Sequence, residues 1–158
     1  KDGKRHGKHI SWYENGLLKG ERLFKDGKTD GIDTSWNEDG TPIYLITWKD
    51  GEMHGDYANW HSNGNKRCEY NYQDGKPHGA CVTWYENGQK ETHSNYQYGR
   101  REGKTMGWYE NGQIQYEDNY EDGLLDGYSV SFRENGSKRK EESYKHGFCW
   151  NRTNHVEG

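Results

Sequence analysis

Aliphatic residues are scarce in this chain. Leu, Ile, Val and Phe together make 17 of 158 residues, and hydrophobic residues of every kind reach 28%, against the roughly 45–50% apolar content of ordinary soluble domains. A layered core of the usual kind is excluded. No apolar run approaches the about 18 residues of a membrane-spanning helix, and no charged-then-apolar leader opens the sequence. The chain starts at Lys1 rather than Met, as expected of a fragment or processed product, so the compartment stays open, with the cytoplasm as the default. Three cysteines, Cys68, Cys81 and Cys149, are too few for a disulfide scaffold. Lys and Arg never run to five in succession, and the net charge is −4. That balance removes the electrostatic attraction behind most nonspecific nucleic-acid affinity, so no nucleic-acid partner is expected.

What the chain does have is 22 glycines and 23 aromatics, 7 Trp, 13 Tyr and 3 Phe. The low net charge and the large rings, which bury much area at few positions, argue against disorder. Glycines recur every 24 residues at Gly3, Gly27, Gly51, Gly75, Gly99, Gly123 and Gly147, the signature of a repeat architecture. Two more glycine series keep the register, one from Gly7 to Gly127 and one from Gly16 to Gly136. Aromatics do the same at Trp12, Trp36, Trp60, Trp84, Trp108 and Phe132, and at Phe24, Trp48, Tyr72, Tyr96, Tyr120 and Tyr144. Residues 1–147 therefore read as one array, and residues 148–158, where Asn151 stands in place of the next glycine, as a C-terminal cap or tail.

Within a copy, Gly79 to Trp84 alternates Val82 and Trp84 with Cys81 and Thr83, the period of a strand. Glu-Asn-Gly at 14–16, 86–88, 110–112 and 134–136 and Asp-Gly at 26–27, 50–51, 74–75 and 122–123 supply the turns. The expected fold is all-β: a single-layer, twisted antiparallel meander of β-hairpins, six 24-residue repeats plus a partial seventh. It would hold about 13 strands and extend roughly 60 Å at ~4.8 Å per strand. One hairpin is too small to fold alone, so stability has to come from stacking of neighbouring copies.

The string Asp-Gly-Lys-Pro-His-Gly-x4-Trp-Tyr-Glu-Asn-Gly-Gln at 74–89, echoed at 2–16 and 98–113, resembles the MORN repeat, and more closely the bacterial MORN-variant repeat. The resemblance implies a place among bacterial proteins labelled YwqK-type antitoxins, or among membrane-associated and protein-binding scaffolds. The copy at 27–48 departs from the pattern, with Asn37 for Tyr and Thr-Pro-Ile after Gly40, and an irregular edge is expected there.

The residues suited to chemistry do not converge in sequence. His6, His54 and His78 share one repeat position with Asp30, Glu102 and Asp126, but equivalent positions two strands apart lie ~9.6 Å from one another, too far to share a zinc ion. The set His61, Cys68, His78 and Cys81 lacks the spacing of a structural zinc motif, so no metal or other cofactor is expected. A two-residue turn at Asp74-Gly75 would set Cys68 opposite Cys81, where a disulfide and two buried free thiols are the alternatives. Glu14, Glu38, Glu86, Glu110 and Glu134 form an acidic row of hairpin tips rather than a catalytic pair. With no nucleophile, phosphate-binding or dinucleotide motif, no catalytic residue and no enzymatic activity are expected.

Surface remains. The aromatic row of Trp36, Trp60, Trp84 and Trp108 with Tyr13, Tyr85 and Tyr109 either packs within the ribbon or meets a partner, since soluble monomers seldom expose large apolar stripes without using them. These seven residues are the candidate binding site. The expected function is a non-catalytic protein-binding module, with a toxin or a scaffolded protein as partner. A cell-surface carbohydrate-binding repeat is the alternative, disfavoured because such repeats run nearer 20 residues. The acidic balance disfavours anionic membranes. The oligomeric state is open.

Overall fold

The structure is a computed structural model that describes residues 3–156. Every regular element among them is a β-strand, and no helix there is long and apolar enough to cross a membrane. The chain divides into two compact units, Lys1–Lys76 and Pro77–Gly158. The first is an open antiparallel meander in strict chain order: β1 (Gly7–Trp12), β2 (Leu18–Lys25), β3 (Lys28–Trp36), β4 (Pro42–Lys49), β5 (Glu52–Trp60) and β6 (Lys66–Gln73).

The second unit repeats the plan. It contains β7 (Lys76–Trp84), which begins at the unit boundary, β8 (Lys90–Gln97), β9 (Arg100–Arg101), β10 (Gly103–Trp108), β11 (Ile114–Glu121), β12 (Leu124–Leu125), β13 (Gly127–Phe132), β14 (Lys138–Lys145) and β15 (Phe148–Asn154). β9 and β12 are the leading ends of β10 and β13, interrupted at Glu102 and Asp126, whose N–H groups still donate to Asn95 and Asn119. Counting each interrupted strand once leaves the thirteen expected. β15, in the segment outside the repeat pattern, is a strand that pairs antiparallel with β14.

The two turn types differ in a way that the residue names explain. At Asp26-Gly27, φ is 49° and 90° and Lys25 pairs with Lys28, a two-residue turn of the type that follows the right-handed strand twist. The Asn-Gly turns are longer than that strong two-residue signal suggests. Gly16 N–H donates to the Tyr13 carbonyl at 3.0 Å, and Tyr13 N–H to the Leu17 carbonyl at 2.9 Å. Only the glycine is left-handed, at φ 84°, and the register then slips by one residue between Ser11 and Trp12. This is the three-residue loop closed by a glycine bulge. Asn15 serves it by accepting from Leu17 N–H at 2.9 Å.

The edge expected to be irregular is regular. Asn37 and Gly40 make the same pair of backbone bonds, at 2.8 and 2.9 Å, and Asp39 replaces the asparagine acceptor by taking Thr41 N–H at 2.8 Å. An aspartate supplies the same acceptor as Asn, so the loop survives the change of sequence.

The histidine position has a structural role that recurs in every repeat. His6, Asp30, His54, His78, Glu102 and Asp126 each accept the backbone N–H of the residue twenty positions on, at 3.4, 3.1, 3.4, 3.5, 3.1 and 3.1 Å. That residue is the left-handed, non-glycine member of the next turn, from Asp26 to His146. The following glycine N–H donates to the carbonyl just before the acceptor, as Gly27 does to Arg5 at 2.8 Å and Gly51 to Thr29 at 2.9 Å. Each repeat thus clamps the turn of the next.

Removing one acceptor leaves a turn N–H without its side-chain partner, a loss of about 1 kcal/mol. Asp30→Ala is expected to lower the unfolding free energy by that amount and Asp30→Asn, which keeps a carbonyl acceptor, to restore most of it, both read from the midpoint and slope of a urea titration.

Candidate functional site

At the Asn-Gly edge the candidate aromatic row is built into the repeat junctions. Tyr13 Oη donates to the Trp36 carbonyl at 2.8 Å, Tyr85 Oη to the Trp108 carbonyl at 2.7 Å, and Tyr109 Oη to the Phe132 carbonyl at 2.9 Å. Beside each, an asparagine amide donates to the carbonyl of a turn glutamate one repeat on: Asn15 to Glu38, Asn87 to Glu110 and Asn111 to Glu134, at 3.0, 3.0 and 3.2 Å. Burial, reinforced by Glu91 and Glu110, pushes the Tyr85 phenol up from its ordinary range. The three hydroxyls are tied to carbonyls, so the Tyr row presents ring faces and edges.

Trp36, Trp60, Trp84 and Trp108 are half-buried, as are Tyr13, Tyr85 and Tyr109, while Trp12 at the first strand is 59% exposed. The structure therefore gathers the predicted residues along one edge of each unit, Tyr13, Trp36 and Trp60 in the first and Tyr85, Trp84, Trp108 and Tyr109 in the second. The glutamates of the acidic row, Glu14, Glu38, Glu86, Glu110 and Glu134, are exposed at the hairpin tips, and three of them, Glu38, Glu110 and Glu134, lend backbone carbonyls to the junctions.

The second aromatic series, visible in the sequence only as a repeat feature, packs with neighbouring side chains into clusters. In the first unit Tyr57, Tyr70 and Tyr72 form a triangle with ring centroids 5.7–6.2 Å apart, the tilted and edge-on packing that ring quadrupoles favour. Asn59 donates to Tyr57 Oη at 3.3 Å and accepts from Cys68 Sγ at 3.0 Å. Burial raises the Tyr57 phenol pKa. In the second unit Arg101 lies between Tyr96 and Tyr120, donating to their hydroxyls at 3.2 and 3.3 Å with its guanidinium carbon 5.3 Å from the Tyr120 ring centroid. Those bonds raise the Arg101 pKa further.

The most buried side chains in this series' neighbourhood are polar. Thr105 is 1% exposed and its hydroxyl has no hydrogen-bond partner among the described residues, nor has the indole N–H of Trp48. Asp118, across the ladder from Thr105, has its pKa raised by burial, partly offset by the Ser129 hydroxyl at 2.6 Å and by Arg101.

Cys68 and Cys81 are buried thiols and Cys149 is an exposed one, none of the three in a disulfide. A metal-compatible trio not anticipated from sequence does occur. Glu121, Asp126 and His146 each bring a ligand atom within 4.8 Å of the others. Its centre is already served by Lys145, 3.1 Å from Asp126 and 3.9 Å from Glu121, and Asp126 also caps His146 N–H. That neutralisation holds the Asp126 carboxyl below its ordinary range, with the His146 N–H bond the largest cause.

Residues 5–26, 77–98 and 101–122 match the MORN repeat variant. Each MORN-type segment opens at the residue whose carbonyl accepts the clamping glycine N–H (Arg5, Pro77 or Arg101) and closes on the left-handed residue that the clamp holds (Asp26, Tyr98 or Asp122). The intervening copies keep the same clamps with different residues. Among curated proteins, none matches the chain significantly.

Two predictions follow from these contacts. Tyr85→Phe keeps the ring but loses the bond to Trp108, and is expected to cost about 1 kcal/mol in chemical denaturation. At the C-terminal edge, hydrogen bonds from Lys138, Tyr128 and His155 hold the Glu141 carboxyl down at about 2. Its folded value lies below its unfolded one, so the stability it contributes is complete above the ordinary Glu range and lost as pH falls through about 2. Acid titration of β14–β15 amide-exchange protection should show this loss, and Glu141→Gln should flatten it.

Proposed function

We propose that the chain is a non-catalytic, protein-binding repeat module. Repeats of this type generally serve as protein- or membrane-binding modules. The observation that carries the reading is the half-buried Trp and Tyr row, held in repeat register by the Tyr hydroxyl bonds to the next repeat. Rings fixed in this way lose little conformational freedom on contact, and rigid aromatic anchors dominate protein interfaces. Carboxylates at the hairpin tips are solvated, where a charge pair contributes under about 1 kcal/mol.

The finer assignment is the antitoxin of a toxin–antitoxin pair, supported by the likeness of the Trp-Tyr-Glu-Asn-Gly strings to the repeats of bacterial YwqK-type proteins. In that role the aromatic row covers the toxin by mass action, without chemistry of its own.

The test uses a partner captured on the immobilised chain, whose affinity is then measured beside the melting temperature for Trp84→Ala, Tyr85→Phe and Glu86→Ala. The expected result is at least a tenfold loss of affinity for Trp84→Ala, beyond what any change in melting accounts for, and a small effect for Glu86→Ala. Loss of melting with affinity intact would return the row to a purely structural role. Loss of binding by Glu86→Ala alone would move recognition to the acidic edge.

A further inference from the structure

The first repeat differs from the others in charge and in one missing side chain, and the two differences coincide in space. Residues 1–28 carry eight Lys or Arg against four Asp or Glu, while the remaining 130 carry fourteen against twenty-two. A basic end therefore opens an acidic chain. On the strand that follows the Asn-Gly turn, equivalent positions hold Tyr44, Cys68, Thr92, Tyr116 and Lys140, each across the ladder from a small or polar residue, but the first copy has Gly20 opposite Ser11. A cavity of about 400 Å³ opens at that notch.

Its chemistry is specific. Phe24, 8% exposed, supplies an apolar floor. The Arg5 guanidinium carbon lies 5.5 Å from the Phe24 ring centroid, and the His9 ring meets the same ring edge-on at 4.9 Å. Arg22 is oriented by Asp33, a carboxylate 2% exposed, at 2.7 Å, and Tyr44 donates to the other Asp33 oxygen at 3.4 Å. Asp33 is thus matched from within. Glu21, also at the cavity, pairs with Lys8 at 2.7 Å. Among the described residues Arg5 pairs with no carboxylate, which leaves a surplus of positive charge over an aromatic floor.

We propose that this notch is an anion subsite that takes the carboxylate of an acidic peptide segment, its methylenes lying on Phe24 and its oxygens held by Arg5 and the open face of Arg22. A guanidinium anchored by a buried carboxylate is pre-oriented, so it offers a carboxylate paired N–H donors at reduced entropic cost. The proposal deepens the protein-binding reading and rests on it, since it names the chemistry of the partner's contact.

The test is calorimetry of the full chain with N-acetyl-hexaglutamate amide, with hexaglutamine and inorganic phosphate as comparison probes. Hexaglutamate binding that weakens with added KCl is expected, together with a roughly tenfold loss for Arg5→Gln, which removes one charged donor from an exposed side chain. Gly20→Thr, which installs the residue found at position 92, is expected to abolish binding; its β-carbon meets the Thr34 carbonyl at 3.2 Å, so the affinity is measured at a temperature where circular dichroism shows the variant folded. Equal affinity for hexaglutamine, tighter binding of phosphate than of the peptide, or wild-type affinity in both variants would overturn the proposal. Arg67→Gln, at an exposed basic residue outside both the notch and the aromatic row, should leave hexaglutamate affinity unchanged, and the aromatic row is read separately through the affinity of Trp84→Ala for the captured partner.

Discussion

The hydrogen bond from a turn N–H to the repeat before it is the interaction on which the rest of the structure depends. A hairpin of 24 residues with two large aromatics cannot offset its own ordering entropy, and a tight turn with two left-handed residues points its N–H groups away from its own strands. Here both are received by the preceding copy, one by a side chain such as Asp30 and one by a backbone carbonyl such as that of Thr29. At the opposite edge the Tyr and Asn side chains of the longer loops reach forward to the next copy's carbonyls. The array is held at both edges by bonds that exist only between copies, and this is why no repeat could be stable alone.

That arrangement also explains which residues vary. The acceptor position tolerates His, Asp and Glu because each presents a lone pair at similar reach, and the donor is backbone whatever the residue. Tyr98 and His146 occupy left-handed positions where Asp and glycine are the easier choices, and the clamp helps to hold them there. The Tyr98 ring also lies against that of His78 at 5.0 Å. The side chains of the central face, by contrast, change from repeat to repeat: Asp33, Tyr57, Cys81, Thr105 and Ser129 share one position. Edges carry the fold, and faces are free to carry individual chemistry such as the Arg22–Asp33 pair or the Arg101–tyrosine cluster.

From sequence alone the period of 24, the hairpin in each copy, the all-β class and the antiparallel chain-order pairing were determined, because glycine at positive φ and period-two alternation are local requirements that leave a visible trace. The aromatic row was legible for the same reason. The tertiary structure alone decided what those residues touch. It turned the histidine series from a failed metal ladder into turn caps and gave the tyrosine hydroxyls carbonyl partners 23 residues away. It also made the Asn-Gly loop a three-residue turn with a bulge, and exposed a notch at Gly20. Contacts between copies depend on strand register and on the direction of each side chain from its strand, and neither is written in the identity of a single residue.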